Sequence, residues 1–244
     1  MTYRLWSKLR SPCCRMTLDS TDDSDLICSG CGQTYPIAEA GPDLRPPGTD
    51  SDAAFESWRA VQEALAEWRA RTWNDSADAD ARRRDTQRLA ADFLGRSAPF
   101  GEVLDVGCGT GWIGELITAR GCQYAGIDPQ PCQTHYDFPF ARSISDRLPF
   151  DDETFDTCVF FSSLDYSIDP GETLREVDRV LRPGGLIAIA TPIHRTKDVE
   201  GVRLHNHRFV AGELETALGD RFGGRVDTWW DRETYQCLWT RKAA

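Results

Sequence analysis

Val103-Leu104-Asp105-Val106-Gly107-Cys108-Gly109-Thr110-Gly111 is the stretch that decides the fold of this chain. It joins a short apolar run to a glycine-rich turn, and a segment with helical patterning follows over residues 111–120. Glycine is needed in such a turn because the backbone must bend tightly and admit a ligand without a Cβ atom in the way. The stretch therefore predicts a strand, a ligand-binding turn and a helix, in that order.

Further apolar segments alternate with helical ones along the rest of the chain. Strand patterns lie at 103–106, 124–127, 157–161 and 186–190, and helical patterns lie at 111–120 and 173–181. This alternation predicts an α/β fold with a parallel sheet flanked by helices. The last two apolar segments, 225–230 and 235–240, are separated by the polar turn Asp231-Arg232-Glu233 and predict an antiparallel pair.

The glycines of the turn fit two kinds of ligand. Gly109, Gly111 and Gly114 satisfy the dinucleotide pattern G-x-G-x-x-G, which is weak evidence by itself. A pyrophosphate prefers the positive N-terminus of a helix, whereas the sulfonium and ammonium groups of S-adenosylmethionine favour a nearby carboxylate such as Asp105. In either case an acid at the end of the second strand holds the ribose hydroxyls, and Asp128 stands there; a plain surface aspartate is the alternative. We favour S-adenosylmethionine over NAD.

Two further blocks stand downstream of the glycine turn. They are Leu148-Pro149-Phe150-Asp151-Asp152-Glu153-Thr154-Phe155-Asp156, and Asp169-Pro170 followed by Leu174-Arg175-Glu176-Val177 and Arg179-Val180-Leu181-Arg182-Pro183-Gly184-Gly185. Together with the turn, over about 102–192, they resemble the class I S-adenosylmethionine-dependent methyltransferases of the type 11 family. The resemblance implies a Rossmann-like, seven-stranded sheet with an antiparallel last strand, and transfer of a methyl group from S-adenosylmethionine.

The resemblance also implies a set of cofactor-binding residues. They are Asp105, Gly107, Cys108, Gly109, Gly111, Trp112, Asp128, Pro129, Ser145, Asp146 and Phe161. The chain departs from the family at Ile144, where an aspartate usually meets the adenine amine. Ser145 still offers its backbone N–H, and Asp146 either substitutes through its side chain or is solvated.

The segment between the second and third strands is a second departure. Pro129, Pro131 and Pro139 stand where many relatives have a full helix, so we expect that helix to be missing. Its replacement, residues 132–140, is rich in aromatic side chains and either lines the pocket or packs as a loop.

Methyl transfer needs an acceptor held in line with the donor and, for some acceptors, a base. The resemblance places the acceptor beyond the fourth strand, where Asp165 is a candidate base; helix capping is its alternative role. His194 follows the fifth strand, near the edge where α/β sheets bind substrates, and is the second candidate. His205 and His207 have a spacing that suits a metal, but no third ligand stands nearby.

A cysteine-bearing segment precedes the α/β region. Cys28-Ser29-Gly30-Cys31 has the spacing of a zinc knuckle, and the segment resembles a small zinc-ribbon module found with some methyltransferases. That module usually opens Cys-Pro-x-Cys, whereas this chain reads Ser11-Pro12-Cys13-Cys14. We predict Cys13, Cys14, Cys28 and Cys31 as structural zinc ligands; a ribbon that has lost its metal is the alternative.

These features divide the chain into three parts. We predict a zinc-ribbon-like module at 1–48, a helical linker or lid at 49–82 and the methyltransferase domain at 83–244. The second part contains Phe55, Trp58, Val61, Leu65 and Trp68, whose spacing of three and four is typical of an amphipathic helix. This helix either covers the pocket as a lid or simply packs on the sheet.

Composition narrows the function. The net charge is −11, which disfavours nucleic-acid substrates, although arginines at 69, 71, 82–84 and 88 form a basic segment that is either a binding patch or a solvated helix face. No apolar run reaches the roughly 18 residues of a membrane span, and neither a secretory signal nor a disulfide pattern is evident, so we expect a cytoplasmic protein without a membrane partner. We predict a methyltransferase acting on an oxygen or nitrogen of a natural-product or quinone-like small molecule. The alternatives are a ribosomal-RNA base methyltransferase and a non-catalytic protein that binds S-adenosylmethionine.

Overall fold

The computed structural model describes residues 7–20, 24–73, 79–132, 134–197 and 205–243, with the side chains at 50, 68–73, 79 and 80 left out. Two sheets and five helices make up these ranges. The strands are β1 (Leu18–Ser20), β2 (Asp25–Cys28), β3 (Thr34–Ala38), β4 (Gly41–Pro42), β5 (Glu102–Val106), β6 (Gln123–Asp128), β7 (Phe140–Arg142), β8 (Phe155–Phe161), β9 (Leu181–Pro192), β10 (Asp227–Asp231) and β11 (Tyr235–Arg241). The helices are α1 (Ala53–Trp73), α2 (Ala79–Ser97), α3 (Ile113–Thr118), α4 (Pro170–Val180) and α5 (Glu213–Phe222).

The larger sheet has seven strands in the order β10-β11-β9-β8-β5-β6-β7. β11 runs antiparallel to both of its neighbours, and the pairs formed by β5, β6, β7, β8 and β9 are parallel. This confirms the predicted Rossmann-like sheet with an antiparallel last strand. The chain leaves β5 toward β6 and β7 and then returns to β8 on the other side, which creates a crevice at the carboxyl ends of β5 and β8 where such sheets bind ligands.

Helices cover both faces of this sheet, which is why its strands are continuously apolar. On one face α4 and α5 pack through Leu174, Val177, Leu214, Leu218 and Phe222. On the other face the buried side chains of α2 and α3 are Phe93, Leu94, Ile113 and Ile117. The boundary predicted between residues 82 and 83 falls within α2 and not between two elements. The domain limits stay a prediction.

α1 is the predicted aromatic helix. Asp52 caps its first turn, since one carboxylate oxygen accepts hydrogen bonds from the backbone N–H groups of Ala54 (2.7 Å) and Phe55 (3.3 Å). The rings of Phe55 and Trp58 stack at 4.9 Å and pack against Ile144, just before a 3-10 turn at Ser145–Arg147. The helix therefore covers one flank of the predicted cofactor site, whereas the Trp68 side chain lies outside the described residues.

The cysteine-bearing segment forms the smaller, antiparallel sheet β1-β2-β3-β4 and docks on the larger one. Backbone hydrogen bonds join Arg10 N to Pro149 O (2.9 Å) and Asp151 N to Lys8 O (3.1 Å). On the other side Leu44 N donates to Arg142 O at the end of β7 (2.7 Å). The small sheet is thus held by main-chain pairing at two places beside the large one. No helix in the described part of the chain is long and apolar enough to cross a bilayer.

Candidate active site

The glycine turn between β5 and α3 has the geometry that its sequence predicts. Gly107, Gly109 and Gly111 have φ angles of +77°, +55° and +74°, a region that favours glycine. A Cβ atom on Gly107 would lie 2.5 Å from the Cβ atom of Ser163, and one on Gly111 would lie 2.2 Å from the Phe138 ring. Two of these glycines are therefore required by close packing as well as by conformation.

Gly114, the last glycine of the dinucleotide pattern, makes room for a protein side chain. A Cβ atom there would lie 2.6 Å from the ring of Tyr124, which passes beneath α3. The Tyr124 hydroxyl donates a 2.6 Å hydrogen bond to the Asp105 carboxylate. Close packing against Tyr124 therefore accounts for the glycine at position 114, and this part of the dinucleotide pattern does not require a bound pyrophosphate.

Asp105 is buried beneath the turn, with 1% of its surface exposed. Burial raises the pKa of its carboxyl group to about 7; the hydrogen bond from Tyr124 opposes this shift and the charge of Asp128 adds to it. A cation placed near the turn would favour the ionised form. Asp105 is therefore an acid whose charge depends on what occupies the turn.

Asp128 closes the other side of the crevice. One carboxylate oxygen accepts from Gly109 N (2.9 Å) and the other from Gln130 N (2.8 Å). The backbone N–H groups of Gly107 and Cys108 both donate to Ile127 O, so the ends of β5 and β6 meet. Asp128 thus lies against the glycine turn, at the position that the ribose-binding prediction requires.

The loop after β6 packs onto the turn, and its described residues contain no helix. The Tyr136 hydroxyl donates to Gly109 O (3.0 Å) and accepts from Cys132 N (2.9 Å). Its ring stacks on Phe140 at 4.0 Å, and the Phe138 ring meets Tyr124 edge-on. These contacts support the packing role that was one of the two predictions for the loop.

The turn Ser145–Arg147 lies on the opposite side of the crevice. Asp146 is buried and accepts from Asp169 N (2.6 Å), and burial raises the pKa of its carboxyl group. The Ser145 hydroxyl hydrogen-bonds with Asp146 (3.1 Å) and with Thr173 in α4 (2.9 Å). Asp146 is therefore not solvated, which corrects one of its two predicted roles: its side chain fixes this turn to the start of α4.

Aromatic rings line the mouth of the crevice. Trp112 is 37% exposed and meets Phe161 edge-on at 5.6 Å, and Phe161 in turn lies against Phe93. Two other predicted cofactor-binding residues lie nearby: Cys108 is buried within the turn, and Pro129 O accepts a hydrogen bond from Arg142. Trp112 therefore presents an accessible apolar surface beside the glycine turn.

A polar cluster stands where β8 and β9 end. Asp165, which is 1% exposed, hydrogen-bonds with His205 Nδ1. The rings of His194 and His205 lie 5.6 Å apart, and Tyr166 stacks on His205 at 5.2 Å. The structure thus brings the two predicted catalytic residues, Asp165 and His194, together through His205.

Helix capping was the other role considered for Asp165, and metal binding was the role considered for His205 and His207. Helix α4 is capped by Asp169, whose carboxylate accepts from the N–H groups of Gly171 and Glu172, and not by Asp165. His207 Nε2 faces the carbonyl oxygens of Ser167 and Ile168, at 2.9 and 3.1 Å. His205 and His207 therefore point to different partners and do not form a shared metal site.

The cluster opens into a cleft of about 490 Å³ between α4, α5 and the segment 205–209. This volume suits a small molecule. Lys197 at its rim is paired with Glu213 at 2.6 Å. The lining consists of Pro170, Gly171, Leu174, Lys197, His205, Asn206, His207, Arg208, Phe209, Glu213, Leu214 and Ala217.

The four predicted zinc ligands converge in the small sheet. The sulfur atoms of Cys13, Cys14, Cys28 and Cys31 all lie within 4.8 Å of one another, and all four cysteines are free. Four thiols at such distances suit a closed tetrahedral zinc site. Ser11, at the family's first ligand position, is buried and hydrogen-bonds with Cys13. The arrangement supports Cys13 as its replacement.

Sequence reasoning missed the contact of Tyr124 with Asp105 and that of His205 with Asp165. Tyr124 was read as part of a strand, and His205 was considered only as a metal ligand. Tyr124 lies in β6, after the helix that follows the glycine turn, and its contact with Asp105 joins residues 19 apart in the sequence. No local pattern predicts that contact. The polar run His205-Asn206-His207-Arg208 is the sequence signal that could have indicated a polar role for His205.

A match to a known protein family covers the glycine turn and strands β6 to β8. Residues 104–189 match the family model described as a methyltransferase domain. A curated protein from Mycobacterium sp. (strain KMS), named an uncharacterized methyltransferase, is 33% identical over 116 residues, which is 43% of this chain and 46% of that protein. The chain thus spans less than half the length of the curated relatives that it matches.

Solved structures share the fold over a longer range. The 1,6-didemethyltoxoflavin-N1-methyltransferase of Burkholderia thailandensis, with bound 1,6-didemethyltoxoflavin and S-adenosylhomocysteine, superposes with a TM-score of 0.58 at 16% identity and covers 93% of this chain and 100% of its own. The [4+2]-cyclase SpnF gives a TM-score of 0.56 at 17% identity, covering 86% of this chain and 98% of its own. At these identities the likeness is one of fold.

Proposed function

We propose that this chain, whose residues 104–189 match a methyltransferase domain, is a class I S-adenosylmethionine-dependent methyltransferase that transfers a methyl group to an oxygen or nitrogen of a small molecule. One observation carries the proposal: at one edge of the sheet, a glycine turn with an acid on each side lies beside a cleft lined by histidines. Ser163 touches Gly107 and donates to Val106 O at 2.6 Å, and two residues later Asp165 hydrogen-bonds with His205, which lines the cleft. A donor and an acceptor would thus be neighbours.

The residues around the turn suit S-adenosylmethionine. Asp105 is a buried acid without an ion-pair partner among the described residues, and the cofactor supplies an ammonium and a sulfonium group. The Asp128 carboxylate would accept hydrogen bonds from the ribose hydroxyls of the cofactor. The proposed set stays the one from sequence: Asp105, Gly107, Cys108, Gly109, Gly111, Trp112, Asp128, Pro129, Ser145, Asp146 and Phe161.

The bound cofactor supplies a methyl carbon that its sulfonium activates for displacement. The chain's part is to hold the acceptor in line, exclude water and take up a proton where the acceptor has one. We place this task in the cluster of Asp165, His194 and His205. Burial, together with Arg208 and His205, lowers the pKa of His194, so its ring is neutral near pH 7.

Charge favours a small acceptor over RNA. Arg88, in the basic segment, pairs with Asp92 at 3.1 Å in α2 and with Asp231 at 3.0 Å in β10. Arg232 pairs with Asp85 in the same region. Carboxylates thus neutralise part of this segment, and the net charge of −11 repels a phosphate backbone. The Burkholderia enzyme, whose bound substrate is a small heterocycle, offers a parallel.

We also propose that the four cysteines hold one structural zinc ion. Four thiolates fill a tetrahedral zinc and leave no position for a substrate, so its contribution is to folding. The module then serves as a rigid support beside the methyltransferase domain, since its backbone pairs with residues 142 and 149–151.

Label transfer tests the function. The protein is incubated with methyl-labelled S-adenosylmethionine and, separately, with a small-metabolite extract or with purified ribosomal RNA. Label in the small-molecule fraction is the expected result, whereas label in RNA would favour the alternative substrate. Cofactor binding without label in either fraction would contradict the proposal and favour a non-methylating protein on this fold, as the [4+2]-cyclase illustrates.

A further inference from the structure

Unpartnered polar atoms gather at the cleft. Asp165 Oδ1, His194 Nε2, Asn206 Oδ1 and Arg208 Nε are all buried and have no hydrogen-bond partner within the described part of the chain. Buried polar atoms are normally hydrogen-bonded, because leaving one unpaired costs about 1–3 kcal/mol. Two of these residues, Asn206 and Arg208, line the cleft, which indicates that a polar ligand there completes their hydrogen bonds.

Charge at the cleft indicates which ligand group is involved. Lys197 is paired with Glu213, and His205 with Asp165, whereas Arg208 has no acidic partner in the described ranges. Arg208 differs from exposed arginines that also lack an acidic partner among the described residues, such as Arg147 and Arg221, because its Nε atom is buried. One free guanidinium carries one positive charge and matches a carboxylate in charge and in its forked geometry.

The proton-accepting group is set by Asp165. Because its carboxylate bonds to His205 Nδ1, that nitrogen carries the proton and Nε2 keeps its lone pair. The His205 side chain is 25% exposed and lines the cleft, whereas Asp165 is too buried to touch a ligand directly. Asp165 thus acts through His205, as a positioning residue.

The remaining walls are apolar. Leu174 and Leu214 come from the facing helices α4 and α5, and Phe209 ends the segment that carries the polar residues. An acceptor with an apolar body fits between these side chains while its polar groups face His205 and Arg208.

We infer that the cleft binds a hydroxy acid with an apolar body, whose carboxylate is held by Arg208 and whose hydroxyl proton is taken by His205. This inference rests on the proposed function. An O–C bond forms as the C–S bond of the donor breaks; the electron pair leaves on sulfur, giving the neutral thioether, and the hydroxyl proton passes to His205 Nε2. The atoms and charges balance, because the positive charge of the sulfonium ends on the imidazolium.

Binding of matched probes tests the carboxylate. The protein loaded with S-adenosylhomocysteine is titrated with 4-hydroxybenzoate and with its neutral isostere 4-hydroxybenzamide. We expect the acid to bind at least about tenfold more tightly, and Arg208→Ala to remove the difference. Arg225→Ala is the control, because Arg225 is exposed, pairs with Asp227 and lies at the opposite end of the sheet.

Equal binding of the two probes, an unchanged preference in Arg208→Ala, or binding of neither would overturn the inference. Failure of S-adenosylhomocysteine itself to bind would instead overturn the proposed function, so the two failures are distinguishable in one sample.

The role of His205 has a spectroscopic readout. The phenol of 4-hydroxybenzoate absorbs at longer wavelength when it is ionised, so its titration can be followed in the complex. We expect the bound phenol to ionise at lower pH in the wild type than in His205→Gln, with Asp165→Asn between them. A loss of packing alone would weaken binding without moving this titration, and identical titrations in all three proteins would overturn the assignment of His205 as the base.

Discussion

At the scale of single residues, the pair of Asp105 and Tyr124 couples cofactor affinity to pH. The pKa of about 7 means that Asp105 is mostly neutral at pH 6 and mostly ionised at pH 8. Since a cationic ligand favours the ionised form, we expect affinity for S-adenosylmethionine to rise by about an order of magnitude between these values. Calorimetry across the range measures it. An equal slope in Asp105→Asn would contradict the assignment.

The same shift has the opposite consequence for the unliganded protein. A raised carboxyl pKa means that the folded chain holds its proton more tightly than the unfolded chain does, so this group's contribution to stability is lost as pH rises from about 4 to 7. Asp105→Asn removes that loss. We expect its melting temperature to gain on the wild type as pH increases; a constant difference would contradict the pKa shift.

Asp128 is the residue on which cofactor affinity should depend most directly. Replacing it with alanine removes the acceptor for the ribose hydroxyls and the bond to Gly109 N, and we expect S-adenosylhomocysteine to bind at least about tenfold more weakly. Asp137→Ala is a matched control, because that side chain is fully exposed in the loop after β6. Unchanged affinity in Asp128→Ala would defeat the ribose assignment.

Single-residue roles were the part that sequence predicted least well. The location of Asp128 beside the glycine turn followed from sequence, because the end of a strand next to such a turn has a fixed position in this fold; its ribose contact stays a prediction. The hydrogen bond that Asp146 accepts from Asp169 N could not be predicted, because the two residues are 23 apart in the sequence. The bond between Asp165 and His205 spans 40 residues, so no local pattern contains it.

At the scale of elements, the alternation of strands and helices and the terminal hairpin followed from apolar periodicity, whereas the seven-stranded sheet with an antiparallel last strand was implied by the family resemblance. The N-cap of α1 at Asp52 and that of α4 at Asp169 are local signals, since each side chain bonds to N–H groups two and three residues ahead. How the small sheet docks was not predictable, because it depends on main-chain pairing between residues 8–10 and 149–151.

The small sheet should depend on metal for its stability. Chelation, or Cys28→Ser, is expected to remove one zinc ion per chain and to lower the melting temperature by at least about 4 °C, because the four thiols otherwise crowd together without a ligand. Metal analysis and calorimetry on the same sample check this. Cys122→Ser, a control at a cysteine outside the cluster, should leave the metal content unchanged. Absence of metal from the untreated protein, or an unchanged melting temperature after its removal, would contradict the zinc assignment.

At the scale of the whole molecule, excess negative charge and the partial pairing of the basic segment set which partners are compatible. We expect ribosomal RNA not to be retained by the protein at about 0.15 M salt, where neutralised phosphates would otherwise hold it. Filter binding over a salt series measures this. Tight binding with a steep salt dependence would contradict the small-molecule proposal.

The cofactor crevice is the place where the proposed sites, the helices and the two sheets meet. The cofactor crevice lies at the point where the chain reverses direction across the sheet, with the small sheet and α1 on its flanks and the acceptor cleft at the ends of β8 and β9. The proposed cofactor and acceptor sites both require a crevice that binds S-adenosylmethionine.

Calorimetric titration with S-adenosylmethionine, S-adenosylhomocysteine and NAD tests that requirement most directly. We expect micromolar binding of the two sulfur compounds at about pH 8 and no binding of NAD. Binding of NAD alone, or of none of the three, would contradict it.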